Sequence, residues 1–289
     1  MNGQTVDPFL NDSCTISGKF NPGATYRVIA IVTGSLSLVG TLFIILSFCL
    51  FRKLRSSFGF RMVLCLACAN FISAVQVIFQ SANEHCYNAA CTAGAYMSQF
   101  GNLAGVLCVA YIGCYYFIGI RRSTHSTAFS RRFDNRKEVV LHTLMWGLPG
   151  LFTIIAGAVG MFGVTGMWCW ISSDFLIARV CMYDVWIFAT YAWSIFLLIW
   201  VCTHQNTVDP RVRPVARRLI YYVLVFFLCN IFTVVGTFSF YLQREEKEWI
   251  SIAIALFEPL HGFANAIVYG LNRNVRELHG DVVSLMSSY

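Results

Sequence analysis

Seven long apolar stretches, separated by short polar segments, dominate the pattern of the chain. Each has about 20 or more residues, enough for an α-helix to cross a hydrocarbon core roughly 30 Å thick. Only helices and closed barrels satisfy every backbone polar group in lipid, and these stretches are far too long to be barrel strands. The pattern therefore predicts an all-α membrane protein, a seven-transmembrane helix bundle. The predicted spans cover about residues 26–51, 59–82, 92–120, 139–162, 177–203, 217–242 and 249–271.

The positive residues between these stretches predict the orientation of the bundle. Cytoplasmic loops carry an excess of Lys and Arg. Of the 21 Lys and Arg, 16 fall on the side of the first, third and fifth loops and the C-terminal tail. That side is predicted to be cytoplasmic, in a multi-pass protein of the plasma membrane. Residues 1–25 then form a short extracellular tail with a glycosylation sequon at Asn11, residues 26–271 the seven-span domain, and residues 272–289 a cytoplasmic tail.

The cytoplasmic tail carries a weaker helical pattern. Val275, Leu278, Val282 and Leu285 recur at helical spacing, although Gly280 interrupts them. The segment could form a short amphipathic helix on the inner membrane surface. A frayed tail is the alternative.

Composition and charge exclude two broad classes of protein. Only 12% of the residues are charged and 57% are apolar, whereas soluble domains average about 25% charged residues. The chain is therefore not a soluble globule, and its partner is the lipid bilayer. The formal net charge of +7 comes from basic residues spread over separate loops, not from the clustered basic face that nucleic-acid binding needs. No nucleic-acid partner is predicted.

Four of the twelve cysteines fall on the predicted outer side, where disulfides persist. They are Cys14, Cys86, Cys91 and Cys169, the last of which lies between two tryptophans. Cys91, at the outer end of the third span, and Cys169, in the loop after the fourth, are the natural pair by position. Cys14 and Cys86 could then form a second bridge. Four cysteines allow three pairings, and the residues alone do not choose among them.

Charged and polar groups inside the predicted spans are expensive in lipid and are functional candidates by default. Glu258 and His261 lie three residues apart in the last span and share a helix face. Either they satisfy each other, or Glu258 contacts a ligand or water in an outer cavity. Arg179 and Asp184, early in the fifth span, either pair with each other or face the cavity, and Gln99 adds a polar point in the third span.

Several chemistries do not fit these residues. Glu-x-x-His occurs once in the spans, whereas a carboxylate di-iron bundle needs it twice with further carboxylates, so no metal is predicted. No lysine lies inside a span, which excludes the Schiff base of an opsin or retinal pump. A zinc hydrolase needs several histidines, but only His142 and His261 lie within spans, near opposite faces. No enzymatic activity and no cofactor are predicted.

Three motifs occur in order along the chain: Trp146-Gly147-Leu148-Pro149, Trp168-Cys169-Trp170-Ile171 and the run from Gly262 to Asn272. Together with Cys91 they resemble G-protein-coupled receptors, most closely the cAMP-receptor-like group (class E), which is related to the secretin-like and adhesion receptors. The resemblance implies a Cys91–Cys169 disulfide and coupling to a heterotrimeric G protein. Asp-Arg-Tyr after span 3 and Asn-Pro-x-x-Tyr in span 7 are absent, and span 6 lacks a proline, so rhodopsin-like membership is not predicted.

These observations predict a G-protein-coupled receptor with a small extracellular ligand bound among spans 3, 5, 6 and 7. An anion such as cAMP would need a cation, for which Arg179 is the best placed. A small-molecule transporter or an intramembrane hydrolase is the alternative. Arg61, in span 2, is expected to bond polar groups among spans 3, 6 and 7. The residues predicted to face the G protein are Arg52, Arg121, Arg122, Arg131, Arg132, Arg217 and Arg218, although cytoplasmic loops are basic in most membrane proteins for topological reasons alone.

Overall fold

The computed structural model describes residues 24–82, 89–123, 135–165, 168–204, 213–243, 247–272 and 275–279. Seven helical segments in this part of the chain are long and apolar enough to cross a membrane, which confirms the seven-helix prediction. Spans 1 to 4 are Ala24–Leu50, Phe58–Ala82, Ala89–Ser123 and Asn135–Ala158. Span 5 runs from Leu176 to His204, span 6 is Arg213–Gln243, and span 7 comprises Glu248–Phe257 and His261–Gly270. A single helical turn, Arg52–Arg55, connects spans 1 and 2.

Span 3 runs through the middle of the bundle and span 4 along its outside. Leu103, Ala104 and Cys108 of span 3 are fully buried. Ala104 and Cys108 are small, and small side chains let neighbouring helices approach closely. Span 4 instead leaves large apolar side chains such as Leu151 and Ile154 exposed. That surface suits lipid, where an exposed apolar side chain carries no penalty.

A β-hairpin follows span 4 and was not predicted. Its strands are β1 (Phe162–Thr165) and β2 (Trp168–Ile171), which pair antiparallel. The helix ends at Ala158, four residues before the predicted end of the span, because Gly160 adopts a positive φ of 71°. The amide of Gly160 donates to the carbonyl of Gly157, and the next amide reaches back to Ala156. This is a Schellman helix end, which favours glycine.

Span 5 contains one wide turn that the sequence pattern did not predict. Residues Val180–Asp184 are π-helical, between the α-helical turns Leu176–Arg179 and Val185–His204. Side chains satisfy two carbonyls of the wide turn: Trp186 Nε1 donates to Cys181 at 3.0 Å, and the Gln99 amide donates to Met182 at 3.2 Å. Such turns often occur at functional sites.

Span 7 is interrupted between Phe257 and His261. Pro259 lies in the interruption and has no N–H to donate to the carbonyl of Ala255. The hydroxyl of Thr33 in span 1 lies 3.0 Å from that carbonyl, and 2.9 Å and 3.3 Å from the carbonyls of Ile29 and Ala30 in its own helix. Span 1 therefore places a hydroxyl donor within reach of the carbonyl that the proline leaves without its usual partner.

Replacing Thr33 with valine should lower the thermal stability of the purified protein by about 1 kcal/mol, because the Ala255 carbonyl then has no donor in place of Pro259. Heating in detergent followed by size-exclusion chromatography measures this. Thr41→Val is the matched control, since Thr41 is also buried but donates to Ser37 and Leu38 of its own helix. Equal losses in both variants would show that the bond across the interruption has no special role.

The inner end of span 1 contacts the start of the C-terminal tail. Residues 275–279 are helical, Val275 is buried, and Leu278 packs against the core. His279 Nε2 lies 3.1 Å from the hydroxyl of Ser47, and its ring stacks on Phe43. The predicted amphipathic segment therefore begins as a docked helical turn. Val282 and Leu285 lie outside the described residues.

Candidate functional site

The β-hairpin covers the end of the bundle that carries Cys169, which we call the outer side. Cys169 of β2 is bonded to Cys91 of span 3, with Cα atoms 5.4 Å apart, as predicted. The side-chain amide of Gln80 adds a second tether, because it donates to the Cys169 carbonyl at 2.9 Å and accepts from the Cys169 amide at 3.3 Å. The second predicted bridge, Cys14 to Cys86, and the sequon at Asn11 lie outside the described residues.

Gly94 makes room for the second tether. A Cβ atom at this position would lie only 2.6 Å from Cγ of Gln80, closer than two carbon atoms can approach. Gln80 and Ser81 are both buried at the end of span 2, next to span 3. The sequence pattern gave no sign of this contact, because neither glutamine nor glycine is unusual there.

Gly94→Ala should lower the free energy of unfolding by about 1–3 kcal/mol, since it overpacks the site and displaces Gln80 from Cys169. In a Gln80→Ala background the same change should cost much less, because the clashing side chain is gone. Thermal unfolding of the two single variants and the double variant gives the coupling between the positions. Strictly additive losses would contradict the proposed contact.

A cavity of about 110 Å³ lies beneath the hairpin, among the outer halves of the helices. Spans 3, 5, 6 and 7, among which a ligand was expected, line it. Spans 1 and 2 also line it, through residues such as Tyr26 and Gln76, which the prediction missed. The residues that carry most of its chemistry are Trp170, Arg179, Tyr183, Thr233, Phe240 and Glu258.

Arg179 is the buried cation of this cavity, with 4% of its surface exposed. The guanidinium carbon lies 4.6 Å from the ring centre of Trp170 and 5.0 Å from that of Phe240, an arrangement that cation–π attraction stabilises. Its Nε lies 3.9 Å from Oδ2 of Asp184. Neither Nε nor Nη1 makes a hydrogen bond within the described part of the chain, so Arg179 retains donors for another partner.

Asp184 is placed behind Arg179 and does not line the cavity. It is buried at the end of the wide turn of span 5 and accepts a hydrogen bond from the hydroxyl of Tyr241 in span 6. The sequence left open whether Arg179 and Asp184 pair with each other or face the cavity. Arg179 does both, because it approaches Asp184 and also lines the cavity. Asp184 only approaches Arg179.

Glu258 lies at the floor of the cavity, in the interruption of span 7. Its Oε2 accepts a hydrogen bond of 2.7 Å from the hydroxyl of Thr233 in span 6. Of the two alternatives for this pair, a side-chain bond between Glu258 and His261 is not found among the described residues: Glu258 bonds Thr233, and Nε2 of His261 has no partner there. The interruption explains this, because it removes the regular helical geometry on which their common face was predicted. His261 faces a lower cavity, where its ring packs against Phe226.

Gln99 supports the cavity wall without lining it. The side chain is fully buried, accepts a 2.7 Å hydrogen bond from the indole of Trp170 and donates to the carbonyl of Met182. It therefore links span 3 to the hairpin and to the wide turn of span 5. A ligand contact from Gln99 was predicted, and the structure favours a positioning role.

The inner side carries the arginines that were predicted to face a G protein. Arg52 is exposed in the single turn after span 1. Arg121 and Arg122 lie in the last turn of span 3, and Arg217 and Arg218 near the start of span 6. The side chains of four of them lie outside the described structure, namely Arg121, Arg122, Arg217 and Arg218. Arg131 and Arg132 lie outside it entirely.

Arg61 has a different partner from the one expected. It makes two hydrogen bonds of 2.7 Å to the carboxylate of Glu138, at the start of span 4. His142, one turn further along that helix, lies 3.8 Å from the same carboxylate. The predicted partners in spans 3, 6 and 7 are wrong, because span 4 begins at Asn135, four residues before its predicted start, and brings the carboxylate of Glu138 against span 2.

Comparison with known proteins agrees with this architecture. Residues 19–279 match the family model described as slime mold cyclic AMP receptor. Cyclic AMP receptor-like protein A of Dictyostelium discoideum is 25% identical over 255 residues, which are 83% of this chain and 62% of that protein. G-protein coupled receptor 1 of Arabidopsis thaliana is 25% identical over 91% of this chain and 83% of its own length.

Cyclic AMP receptor 1 of Dictyostelium discoideum is 30% identical over 112 residues, which are 35% of this chain and 28% of that protein. The family model covers far more than half of the chain, and the described residues include seven helices that could span a membrane and the Cys91–Cys169 disulfide. Two of the three relatives bear cyclic AMP receptor names, and the third is named a G-protein coupled receptor. The chain belongs to the slime mold cyclic AMP receptor family and is a membrane protein with seven helices long enough to span the bilayer.

Proposed function

We propose that the protein is a plasma-membrane receptor that binds a small extracellular ligand in the outer cavity and activates a heterotrimeric G protein on the inner side. The single observation that carries the ligand part is Arg179. A guanidinium removed from water normally has most of its donors paired, since unpaired buried charge is costly. Arg179 has only a 3.9 Å ion pair and two aromatic faces, with Nε and Nη1 unbonded in the described structure.

An anionic ligand best completes this arrangement. Arginine binds phosphate and carboxylate groups through its N–H donors, and Nε and Nη1 of Arg179 have no hydrogen-bond partner in the described structure. The exposed Lys247, which also lines the cavity, adds a second positive group.

Glu258 suggests what the other end of the ligand carries. Its carboxylate lines the same cavity on the floor and receives a hydrogen bond from Thr233. A carboxylate accepts further hydrogen bonds, so a ligand with an amino or hydroxyl group would be complementary to it. Cyclic AMP has a phosphate, a flat base and an amino group, and two relatives carry its name. It is therefore the first ligand to test.

The G-protein part of the proposal rests on the family and on the inner arginines. In a receptor of this kind the ligand favours one of two helix packings, by an amount limited to its differential affinity for them. Span 3 carries a pair of arginines in its last turn, and span 6 carries a pair near its start, both on the inner side. A relative movement of these two spans would change how those arginines are presented to a partner.

A G-protein dissociation assay in cells that express the full chain tests the proposal. Cyclic AMP, other cyclic nucleotides, nucleoside monophosphates and small carboxylates are applied outside, against a panel of G proteins. We expect a saturable response to at least one anion and none in cells without the receptor. Uptake of an anion with no response from any G protein would contradict the proposal and favour a transporter.

A further inference from the structure

The charge of Arg179 is opposed by a carboxylate before any ligand binds. Asp184 lies behind the wall of the outer cavity, with Oδ2 3.9 Å from Nε of Arg179. The other charged residues that line the cavity in the described part of the chain are Glu258 and Lys247, of which Lys247 is exposed. Arg179 is therefore a buried cation whose attraction for an anion is partly cancelled.

The wide turn of span 5 places Asp184 next to Arg179. Five residues separate the two positions, which on a regular α-helix would put them on roughly opposite faces. The π-helical turn Val180–Asp184 pairs each residue with the fifth along the chain, which brings both side chains to one face. Tyr241 of span 6 donates to the same oxygen of Asp184 that approaches Arg179. Asp184 is 1% exposed, so water does not screen its charge.

We propose that Asp184 makes the outer cavity selective for anions with one charge over anions with two. This inference rests on the proposed anion site at Arg179. An anion that accepts a hydrogen bond from Arg179 lies within about 10 Å of Asp184, and both groups are removed from bulk water.

A second charge on the ligand costs more than the first. The cost of taking an ion out of water rises with the square of its charge, whereas the attraction to Arg179 rises only in proportion. Asp184 repels each added negative charge, and Glu258 on the cavity floor adds to that repulsion. Lys247 does not restore the balance, because its exposed charge is screened by solvent.

This charge selectivity narrows the class of ligand. Carboxylates and phosphodiesters carry a single charge near neutral pH, whereas a phosphomonoester carries nearly two. The cavity should therefore take a carboxylate or a phosphodiester and reject the phosphomonoester built on the same skeleton.

The test compares two compounds that differ in charge and hardly in shape, adenosine monophosphate and the methyl ester of its phosphate. Their dissociation constants for the purified full chain near neutral pH come from the concentration dependence of the thermal midpoint. The methyl ester should bind at least about tenfold more tightly, because repulsion between two charges about 10 Å apart in a protein corresponds to a factor of that size.

Arg179→Gln, measured in parallel, separates this inference from the proposed function. Equal binding of the two compounds, lost for both in Arg179→Gln, would overturn the charge selectivity and leave the anion site standing. Binding of neither compound, or binding that Arg179→Gln leaves unchanged, would contradict the anion site and the selectivity together.

Substitutions of Asp184 test whether this residue is the source of the selectivity. Asp184→Asn and Asp184→Ser both remove the charge, so the test does not depend on the folding of one variant. In both, the ratio of the two dissociation constants should fall to about threefold or less, whereas Asp184→Glu should keep it. Lost packing alone would weaken both compounds alike and leave the ratio unchanged.

Asp174→Asn is the matched control, because Asp174 is an exposed carboxylate of the outer side that bonds Ser172. Its ratio should equal that of the wild type. An unchanged ratio in the two neutral variants of Asp184, or the same fall in Asp174→Asn, would overturn the assignment to Asp184.

Discussion

Replacing Arg179 with glutamine should raise the concentration of anionic ligand needed for a half-maximal response by at least about 30-fold. Removing one partner of a buried, hydrogen-bonded charge pair costs about 2–5 kcal/mol, and 2 kcal/mol corresponds to about that factor. Arg179 is the buried cation between Trp170 and Phe240. The measurement is the G-protein response at matched surface expression, with cyclic AMP as the first ligand.

Two further variants separate ligand binding from packing at Arg179. Arg179→Lys keeps the charge but loses the paired donors and the flat stacking surface, so its response should be intermediate. Lys247→Ala removes an exposed charge at the cavity wall and should alter mainly the association rate and the salt dependence. If Arg179→Gln responds like the wild type, an anion does not bind there.

The remaining alternative is that Arg179→Gln fails because it leaves Asp184 unbalanced. Asp184 lies 3.9 Å from Arg179 and is buried. The double variant Arg179→Gln/Asp184→Asn removes both charges and keeps a side chain able to bond Tyr241. A response that stays lost in the double variant assigns the effect to the ligand contact. A recovered response assigns it to the buried charge.

Loss of the Cys91–Cys169 bridge should produce the largest loss of stability, about 2–4 kcal/mol. The bridge joins residues 78 positions apart and holds β2 over the cavity. Trp170, the next residue, contacts Arg179 and is held by Gln99. The response to ligand should therefore weaken together with the thermal stability.

The free energy of unfolding should fall by the same amount in Cys91→Ser, in Cys169→Ser and in the double variant. Each of the three removes the same disulfide bond. Cys181→Ser is the control, since Cys181 is a free cysteine and exposed. Size-exclusion chromatography after heating gives the midpoint of each variant. A double variant clearly weaker than both single variants would mean that the two sulfurs act separately in the folded protein.

The sequence predicted the parts of this structure that depend on the membrane. Apolar length defined the seven spans, and their observed bounds mostly agree to within a few residues. The resemblance implied the pairing of Cys91 with Cys169. Arg179 and Glu258 were recognised because charge inside a span needs an explanation, and both line the outer cavity.

The parts that were missed depend on contacts between distant segments or on local backbone geometry. The Gln80–Cys169 tether and the Arg61–Glu138 pair join residues 89 and 77 positions apart, and no local pattern marks either. Two other features had signals in the sequence that were not used. A glycine such as Gly160 favours a helix end, and Pro259 cannot continue the hydrogen bonding of span 7.

The most direct test of the central claim is a thermal-stability screen of the purified receptor with and without small molecules. A ligand at 100 times its dissociation constant stabilises the folded state by about 2.7 kcal/mol, or roughly 5–10 °C. We predict that the stabilising compounds are anions and that Arg179→Gln abolishes their effect. Stabilising compounds that are cationic or neutral, and that act equally on Arg179→Gln, would contradict an anion site at Arg179.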